Sequence, residues 1–320
     1  MDFIDKINTL AKKNREFLFI IDFEIEKPLI FEIEKIPSNF YFSIGKIKKL
    51  PKIKKTTNTV SLNIKKVITY NEFLNSFNRL REEELKGNSY LTNLTFKTEI
   101  EINLSLEEIF LRSKSKYKLL IEDNFVVFSP ETFIKIEDGY IYSFPMKGTI
   151  DASIPNAKEI LLNDPKEEAE HLTIVDLIRN DLNSVASDVR VIDYRYVDVI
   201  KTNNKTILQT SSKIVGKMPE KYNEILGEII LKLLPAGSIS GAPKKKTVEI
   251  IKDIETEKRG YYTGIFGHFD GKNLDSCVMI RFIEKNNDRL YYRSGGGITI
   301  YSDPEKEYKE LMDKIYVPIY

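Results

Sequence analysis

Two pairs of glutamates lie three residues apart in segments with a helical pattern. Glu167 and Glu170 form one pair, and Glu307 and Glu310 form the other. Residues three apart share one face of a helix, so each pair would present two carboxylates together. Four convergent carboxylates repel one another unless a cation lies between them, and an all-oxygen site suits Mg²⁺. Taken alone, each pair is more typical of a solvated helix face in a chain with 48 acidic residues.

The segment SFPMKGT, residues 143–149, presents a single lysine between a proline turn and a glycine. Pro145 has a fixed φ, and Gly148 lets the backbone approach a ligand closely. By itself Lys147 is typical of a solvated turn. A hairpin would fold Glu131, which lies upstream, back toward this lysine. The two side chains would then supply an amine and a carboxyl group to one site.

Groups that could bind an anion follow later in the chain. Arg281 and Lys314 carry positive charge, Tyr262 adds a hydroxyl, and Gly295–Gly297 leave backbone N–H groups open to a ligand. In the apolar segment DSCVMIRFI, strand alternation places Arg281 opposite its neighbours, which favours a solvent-facing residue when it is taken alone. The glycine run by itself is typical of a flexible turn.

Composition limits the kind of partner. The 320 residues include 49 basic and 48 acidic ones, a net charge of +1 that favours a small molecule over nucleic acid or an anionic membrane. The single cysteine, Cys277, excludes an internal disulfide, and with only two histidines the acid, base or nucleophile is expected among Lys, Glu and Asp. No signal peptide or membrane-spanning run is evident, which predicts a cytoplasmic protein. The basic stretch at 46–55 is interpreted as solvated.

Both helices and strands are needed to position these groups. Apolar spacing predicts helices at residues 2–15, 70–86, 105–115, 165–182, 220–234, 243–258 and 304–315. Strands are predicted at 17–25, 89–102, 189–200 and 205–216, with further strands between 117 and 149 and a meander from 261 to 302. We predict an α/β (α+β) fold with a short β-rich lobe at 1–66 and a larger unit at 67–320 that is continuous with it.

Four ordered motifs, AEHLTIVDLIRNDL, LPAGSISGAPKKKTVEII, RGYYTGIFG and SGGGI, resemble those of the chorismate-utilising enzymes. The resemblance covers roughly residues 70–316. It implies large mixed or antiparallel sheets with flanking helices, a site between the sheets, and Mg²⁺ bridging the substrate's ring carboxylate to glutamates on two helices. Matching the motifs implies metal ligands at Glu170 and Glu310, supported by Glu167 and Glu307. The implied substrate contacts are Gly148, Thr149, Tyr262, Arg281, Gly295, Gly296, Gly297 and Lys314, and Gln209 is assigned a contact role where relatives have a histidine.

The segment around Lys147 separates the members of that family. Aminodeoxychorismate synthases carry PIKGT, anthranilate synthases usually have alanine at the lysine position, and this chain reads PMKGT. The resemblance therefore implies conversion of chorismate and ammonia to 4-amino-4-deoxychorismate, with Lys147 as nucleophile and Glu131 as general acid. A partly buried lysine beside Mg²⁺ would have its ammonium form disfavoured. Because no glutaminase motif surrounds Cys277, ammonia is expected from a separate glutaminase subunit.

Two positions depart from the family pattern. Leu91 stands where relatives that add water to chorismate have a lysine that acts as the base. This difference argues against isochorismate and salicylate synthesis. Gln209 stands where relatives have a histidine, and glutamine can hydrogen-bond a substrate but cannot transfer a proton at neutral pH. Two alternatives stay open: anthranilate synthase component I, and a chorismate-binding subunit without catalytic activity.

Overall fold

The computed structural model describes residues 2–53, 59–201 and 206–318. Eight α-helices lie in this part of the chain. They are α1 (Phe3–Lys12), α2 (Tyr70–Leu85), α3 (Leu106–Arg112), α4 (Ala157–Asn163), α5 (Pro165–Asn183), α6 (Leu226–Leu233), α7 (Lys244–Ile254) and α8 (Pro304–Asp313). Only α4 falls outside the predicted helices, because, unlike the equally short α3, it has no capping box to mark its start.

The same described residues form eighteen strands. They are β1 (Phe17–Ile21), β2 (Leu29–Glu32), β3 (Phe40–Ile44), β4 (Ile47–Lys49), β5 (Leu62–Lys66), β6 (Leu91–Ile102), β7 (Tyr117–Ile121), β8 (Phe125–Ser129), β9 (Thr132–Glu137), β10 (Tyr140–Ser143), β11 (Met146–Asp151), β12 (Ser187–Lys201), β13 (Thr206–Lys217), β14 (Gly241–Ala242), β15 (Ile265–Phe269), β16 (Leu274–Val278), β17 (Phe282–Asn286) and β18 (Arg289–Ile298). The basic stretch at 46–55 supplies β4, and its last two residues lie outside the described part.

Two nine-stranded antiparallel sheets organise the chain. The first has the order β11-β13-β10-β9-β16-β15-β1-β2, with β12 also paired to β13. The second has the order β14-β6-β18-β17-β8-β7-β3-β4, with β5 also paired to β6. The predicted α/β (α+β) class with large antiparallel sheets is confirmed. Strands from residues 1–66 enter both sheets, and the division at residue 66 stays a prediction.

Apolar side chains hold these sheets and helices in four layers. One cluster, which includes Phe266 and Phe282, fills the space between the sheets. A second packs α1, α5 and α6 onto the outer face of the first sheet, and a third packs α3 onto the second sheet. Strand β1 is buried along its whole length because it meets apolar clusters on both faces, which explains its unbroken apolar run FLFII. No helix in the described residues has the length and apolar character needed to cross a membrane.

Two of the points at which the chain passes from one sheet to the other are neighbours. Strand β8 belongs to the second sheet and β9 to the first, while β16 belongs to the first and β17 to the second. The prediction of a single strand over DSCVMIRFI is therefore wrong, since the strand breaks after Val278. Arg281 adopts a left-handed φ of 55° there. The apolar pattern hides the break because both halves are buried.

Candidate active site

Glu131 and Arg281 lie at two neighbouring points where the chain changes sheets, between β8 and β9 and between β16 and β17. The Val278 N–H donates to the Glu131 carbonyl oxygen at 3.2 Å, and the Phe128 N–H donates to the Arg281 carbonyl oxygen at 3.1 Å. These crossed backbone bonds hold the two segments side by side. Arg281 is half-buried at the seam between the sheets, so the expectation of a solvent-facing strand residue is wrong.

Lys147 reaches the same seam from β11. Its Nζ lies 2.7 Å from Oε2 of Glu170 on α5. The Thr210 hydroxyl on the neighbouring strand donates to the Lys147 carbonyl oxygen, which fixes the local backbone. A Cβ atom at Gly297 would lie 3.4 Å from Lys147 Nζ and 3.1 Å from Leu91 Cδ1. The lysine therefore enters a site bounded by a glycine strand and an apolar side chain, and is not a solvated turn residue.

The two glutamate pairs face each other across this site. Lys166, at the start of α5, lies between them, with its Nζ 3.7 Å from Glu170 Oε1 and 3.5 Å from Glu307 Oε1. Lys314 closes the other side, since its Nζ lies 2.7 Å from Glu310 Oε1. Helices α5 and α8, together with strand β11, thus bring four carboxylates and three lysines into one region.

Burial and the neighbouring charges shift the pKa values of the site residues in opposite directions. Burial lowers the pKa of Lys147, but attraction to Glu170, Glu310 and Glu167 outweighs it, and the pKa is raised overall. The expectation of a disfavoured ammonium form concerns a lysine beside Mg²⁺ and stays a prediction, while the charged carboxylates by themselves favour the ammonium form. For Glu131 burial dominates, and its pKa is raised although the Ser238 hydroxyl, Arg281 and Lys314 act in the opposite direction.

The chemistry of the glutamates fits a hard divalent cation. Glu167 Oε2 and Glu170 Oε1 are buried and have no hydrogen-bond partner, and burial raises the pKa of Glu167 and of Glu307. Such oxygens lose their hydration without compensation unless a cation or donor approaches them. Within the described residues, no three His, Cys, Asp or Glu side chains are already arranged around a metal position, because lysines occupy the space between the carboxylates.

Most of the predicted substrate contacts line this region. Gly148 has φ +84°, and a Cβ atom there would lie 2.8 Å from Glu167 Oε2, so a side chain would displace that carboxylate. Lys314 Nζ donates to the Gly295 carbonyl oxygen at 2.9 Å. A Cβ atom at Gly296 would lie 3.7 Å from both Lys314 Nζ and Glu307 Oε2. The glycine run is thus a strand wall, β18, and not a flexible turn.

Three predicted contacts lie further from the lysine and glutamate cluster. Thr149 is exposed and pairs with Gln209 across β11 and β13. Tyr262 is buried, with its ring centroid 5.8 Å from that of Phe282, and burial raises its pKa to about 12. The structure records no direct contact of these side chains with Lys147. Their roles as substrate contacts stay predictions.

Four residues of the site were not found from the sequence. Ser238, in the 3₁₀ turn Gly237–Ile239, donates a hydrogen bond from its hydroxyl to Glu131. The others are Lys166, Thr210 and Tyr316. Lys166 could have been predicted from the sequence, because it lies four residues before Glu170 on the same helix. The remaining three meet their partners through tertiary folding alone.

Comparison with known proteins shows the family to which this chain belongs. The family model described as chorismate binding enzyme matches residues 32–319. The chain belongs to the chorismate-binding enzyme family. One similar member is named an uncharacterised PabA-like protein of Haemophilus influenzae, which is 49% identical over 99% of this chain and 96% of its own length. Membership confirms the resemblance carried by the four motifs.

Other known proteins share part of the chain or the fold alone. Anthranilate synthase component 1 of Aquifex aeolicus is 35% identical, over 58% of this chain and 38% of its own length. The solved structure of the menaquinone-specific isochorismate synthase MenF of Escherichia coli aligns with a TM-score of 0.71, covering 98% of this chain and 79% of that one. Its identity is 16%, so this likeness concerns the fold.

Proposed function

We propose that this chorismate-binding enzyme is the synthase component that converts chorismate and ammonia to 4-amino-4-deoxychorismate. The observation that supports this reaction best is the position of Lys147, whose amine lies beside Glu170 and next to the wall formed by Gly297. Leu91 lies at the same wall and offers no base to activate water. A site with an amine nucleophile and without that base favours amination over hydration.

In the proposed reaction, the Lys147 amine attacks C2 of chorismate, the ring double bond shifts, and the C4–oxygen bond breaks. Glu131 gives its proton to the departing hydroxyl, which leaves as water. Burial raises the pKa of Glu131, which favours the protonated form that a general acid needs. Ammonia then forms a bond to C4, the double bond shifts back, and the bond between C2 and the lysine nitrogen breaks, which releases the neutral lysine amine. The new C4 ammonium group returns one proton to the Glu131 carboxylate.

A divalent cation is part of the proposal. Glu170 and Glu310 would be its ligands, with Glu167 and Glu307 in support. The buried oxygens of Glu167 and Glu170 that lack a hydrogen bond support this assignment. When bound, Mg²⁺ would neutralise these carboxylates and so weaken the attraction of Glu170 for the Lys147 ammonium. The carboxylates by themselves keep Lys147 charged and held in place.

Ammonia is proposed to come from a separate glutaminase subunit. Cys277 is the only cysteine in the sequence. It is fully buried in β16, and burial raises the pKa of its thiol well above the ordinary value. A thiol in that state cannot serve as the nucleophile of a glutaminase.

The test is to incubate the protein with chorismate, Mg²⁺ and an ammonium salt and to identify the product by mass spectrometry. We expect aminodeoxychorismate, and we expect Lys147→Ala to lose most of this activity. Lys213→Ala, which removes another lysine of the first sheet, is the matched control and should retain activity. Anthranilate as the main product would support the activity named for the Aquifex aeolicus relative. Chorismate binding without any turnover would indicate a subunit without catalytic activity.

A further inference from the structure

The C-terminal tail after α8 carries a tyrosine into the site. Ile315 is buried against the second sheet, and Val317 packs against the same apolar cluster. The Lys114 N–H donates to the Pro318 carbonyl oxygen at 3.0 Å, which fixes the far end of the tail. Tyr316, between these anchored residues, lies away from the cluster and is 41% exposed. The tail therefore holds this ring at a defined place without using it for the core.

Tyr316 covers one side of Arg281. The Arg281 Nε donates to the Tyr316 hydroxyl oxygen at 3.3 Å, and the guanidinium carbon lies 5.2 Å from the ring centroid. Residues 2–53, 59–201 and 206–318 place no carboxylate within ion-pair distance of Arg281. This guanidinium thus has a hydrogen bond on its Nε side and no ion pair, although its charge acts on Glu131.

We infer that Tyr316 is a positioning residue that orients Arg281 for a carboxylate ligand. A guanidinium can bind a carboxylate through Nε and one Nη, or through its two Nη groups. Because the Tyr316 hydroxyl occupies Nε, the pair of Nη groups is the edge left for the ligand. The inference rests on the proposed function, in which Arg281 binds a carboxylate of chorismate.

The experiment compares Tyr316→Phe with the wild-type protein. The phenylalanine keeps the ring over the guanidinium and removes only the hydroxyl. We expect chorismate Kd, measured by titration calorimetry, and KM to rise about five-fold, while kcat changes less than two-fold. Tyr316→Ala, which also removes the cation–π contact, should weaken binding further. Tyr301→Phe alters a tyrosine that is 82% exposed and should change neither constant.

A double-mutant cycle separates positioning from an indirect structural effect. If Tyr316 acts through Arg281, adding Tyr316→Phe to an Arg281→Gln variant should produce no further loss of affinity. Equal losses in the two backgrounds, or an unchanged Kd in Tyr316→Phe, would overturn the inference while leaving the proposed function intact. Failure of the wild-type protein to bind chorismate would instead overturn the proposed function.

Discussion

At the scale of single residues, Glu131 shows how the site controls a proton. Burial raises its pKa, and the Ser238 hydroxyl, Arg281 and Lys314 limit the rise. Ser238 contributes the largest of these opposing effects, because its hydrogen bond stabilises the carboxylate. The balance therefore favours the protonated form of Glu131 more than in an exposed glutamate, while the three opposing groups favour release of the proton.

Ser238→Ala should change how activity depends on pH. Without the hydrogen bond, the pKa of Glu131 rises further, so the loss of kcat on the alkaline side should move to higher pH. A weaker acid should also lower kcat at neutral pH by about ten-fold. The measurement is a profile of kcat against pH.

Ser240→Ala controls for the loss of a buried hydroxyl from the same segment, since its hydrogen bond goes to the Ala236 carbonyl oxygen. Its profile should match that of the wild-type protein. An alkaline limb that stays in place in Ser238→Ala would contradict the role assigned to this hydrogen bond.

At the scale of elements, the two helices that carry the glutamates begin in the same way. Helix α5 starts with Asp164 as N-cap and Pro165 at its first position, and α8 starts with Asp303 and Pro304. Proline at this position leaves no N–H unsatisfied, and the aspartate accepts from the next free N–H groups. Glutamates in or near the first turn also benefit from the positive end of the helix dipole.

Removal of the α8 cap should affect both stability and substrate binding. The Asp303 carboxylate accepts from the Lys306 N–H at 2.9 Å. Asp303→Ala should cost about 1 kcal/mol of unfolding free energy, a fall of about 1–2 °C in Tm. The frayed turn should also displace Glu307, so KM for chorismate should rise severalfold, as measured by initial rates.

Two variants control this experiment. Asn is as good an N-cap as Asp, so Asp303→Asn should keep most of the stability. Thr69→Ala removes a capping box from α2 at a similar cost, but α2 carries none of the candidate site residues, so KM should stay unchanged. An equal rise of KM in Thr69→Ala would show that the effect comes from general destabilisation.

At the scale of the whole molecule, the layers around the site bury an ionisable side chain that has no hydrogen-bond partner. Glu84, near the end of α2, is 5% exposed, and neither of its carboxylate oxygens has a hydrogen-bond partner. Burial raises its pKa to about 8, although Arg81 acts in the opposite direction. In the folded protein this side chain is therefore neutral at moderately acidic pH.

The free energy of unfolding should depend on this group. Below pH 4.5 Glu84 is protonated in both states, while between 4.5 and about 8 only the folded state keeps the proton. Stability should therefore fall as pH rises through this window, by an amount on the order of 2–5 kcal/mol. Glu84→Gln should remove the decline, so its advantage in Tm should be larger at pH 8 than at pH 5.

Glu82→Gln, at an exposed position on the same helix, controls for the loss of one negative charge. It should show no comparable difference between pH 5 and pH 8. A Tm advantage of Glu84→Gln that is the same at both values would contradict the proton linkage.

Sequence patterns that depend on near neighbours predicted much of this architecture. The helical periods from Tyr70 and from Pro165 match α2 and α5, because apolar spacing and caps act within a few residues. The same local spacing placed each glutamate pair on one helix face, and the ordered motifs identified the family.

Tertiary structure alone decided which groups meet. Whether Lys147 is a solvated turn residue or a partner of Glu170 depends on how α5 packs against β11. The contacts of Ser238 with Glu131 and of Tyr316 with Arg281 join segments far apart in the chain. Antiparallel sheets formed from distant strands leave no local period that records such pairings. The sequence therefore determined the elements and the chemical groups they carry, and long-range packing determined the site.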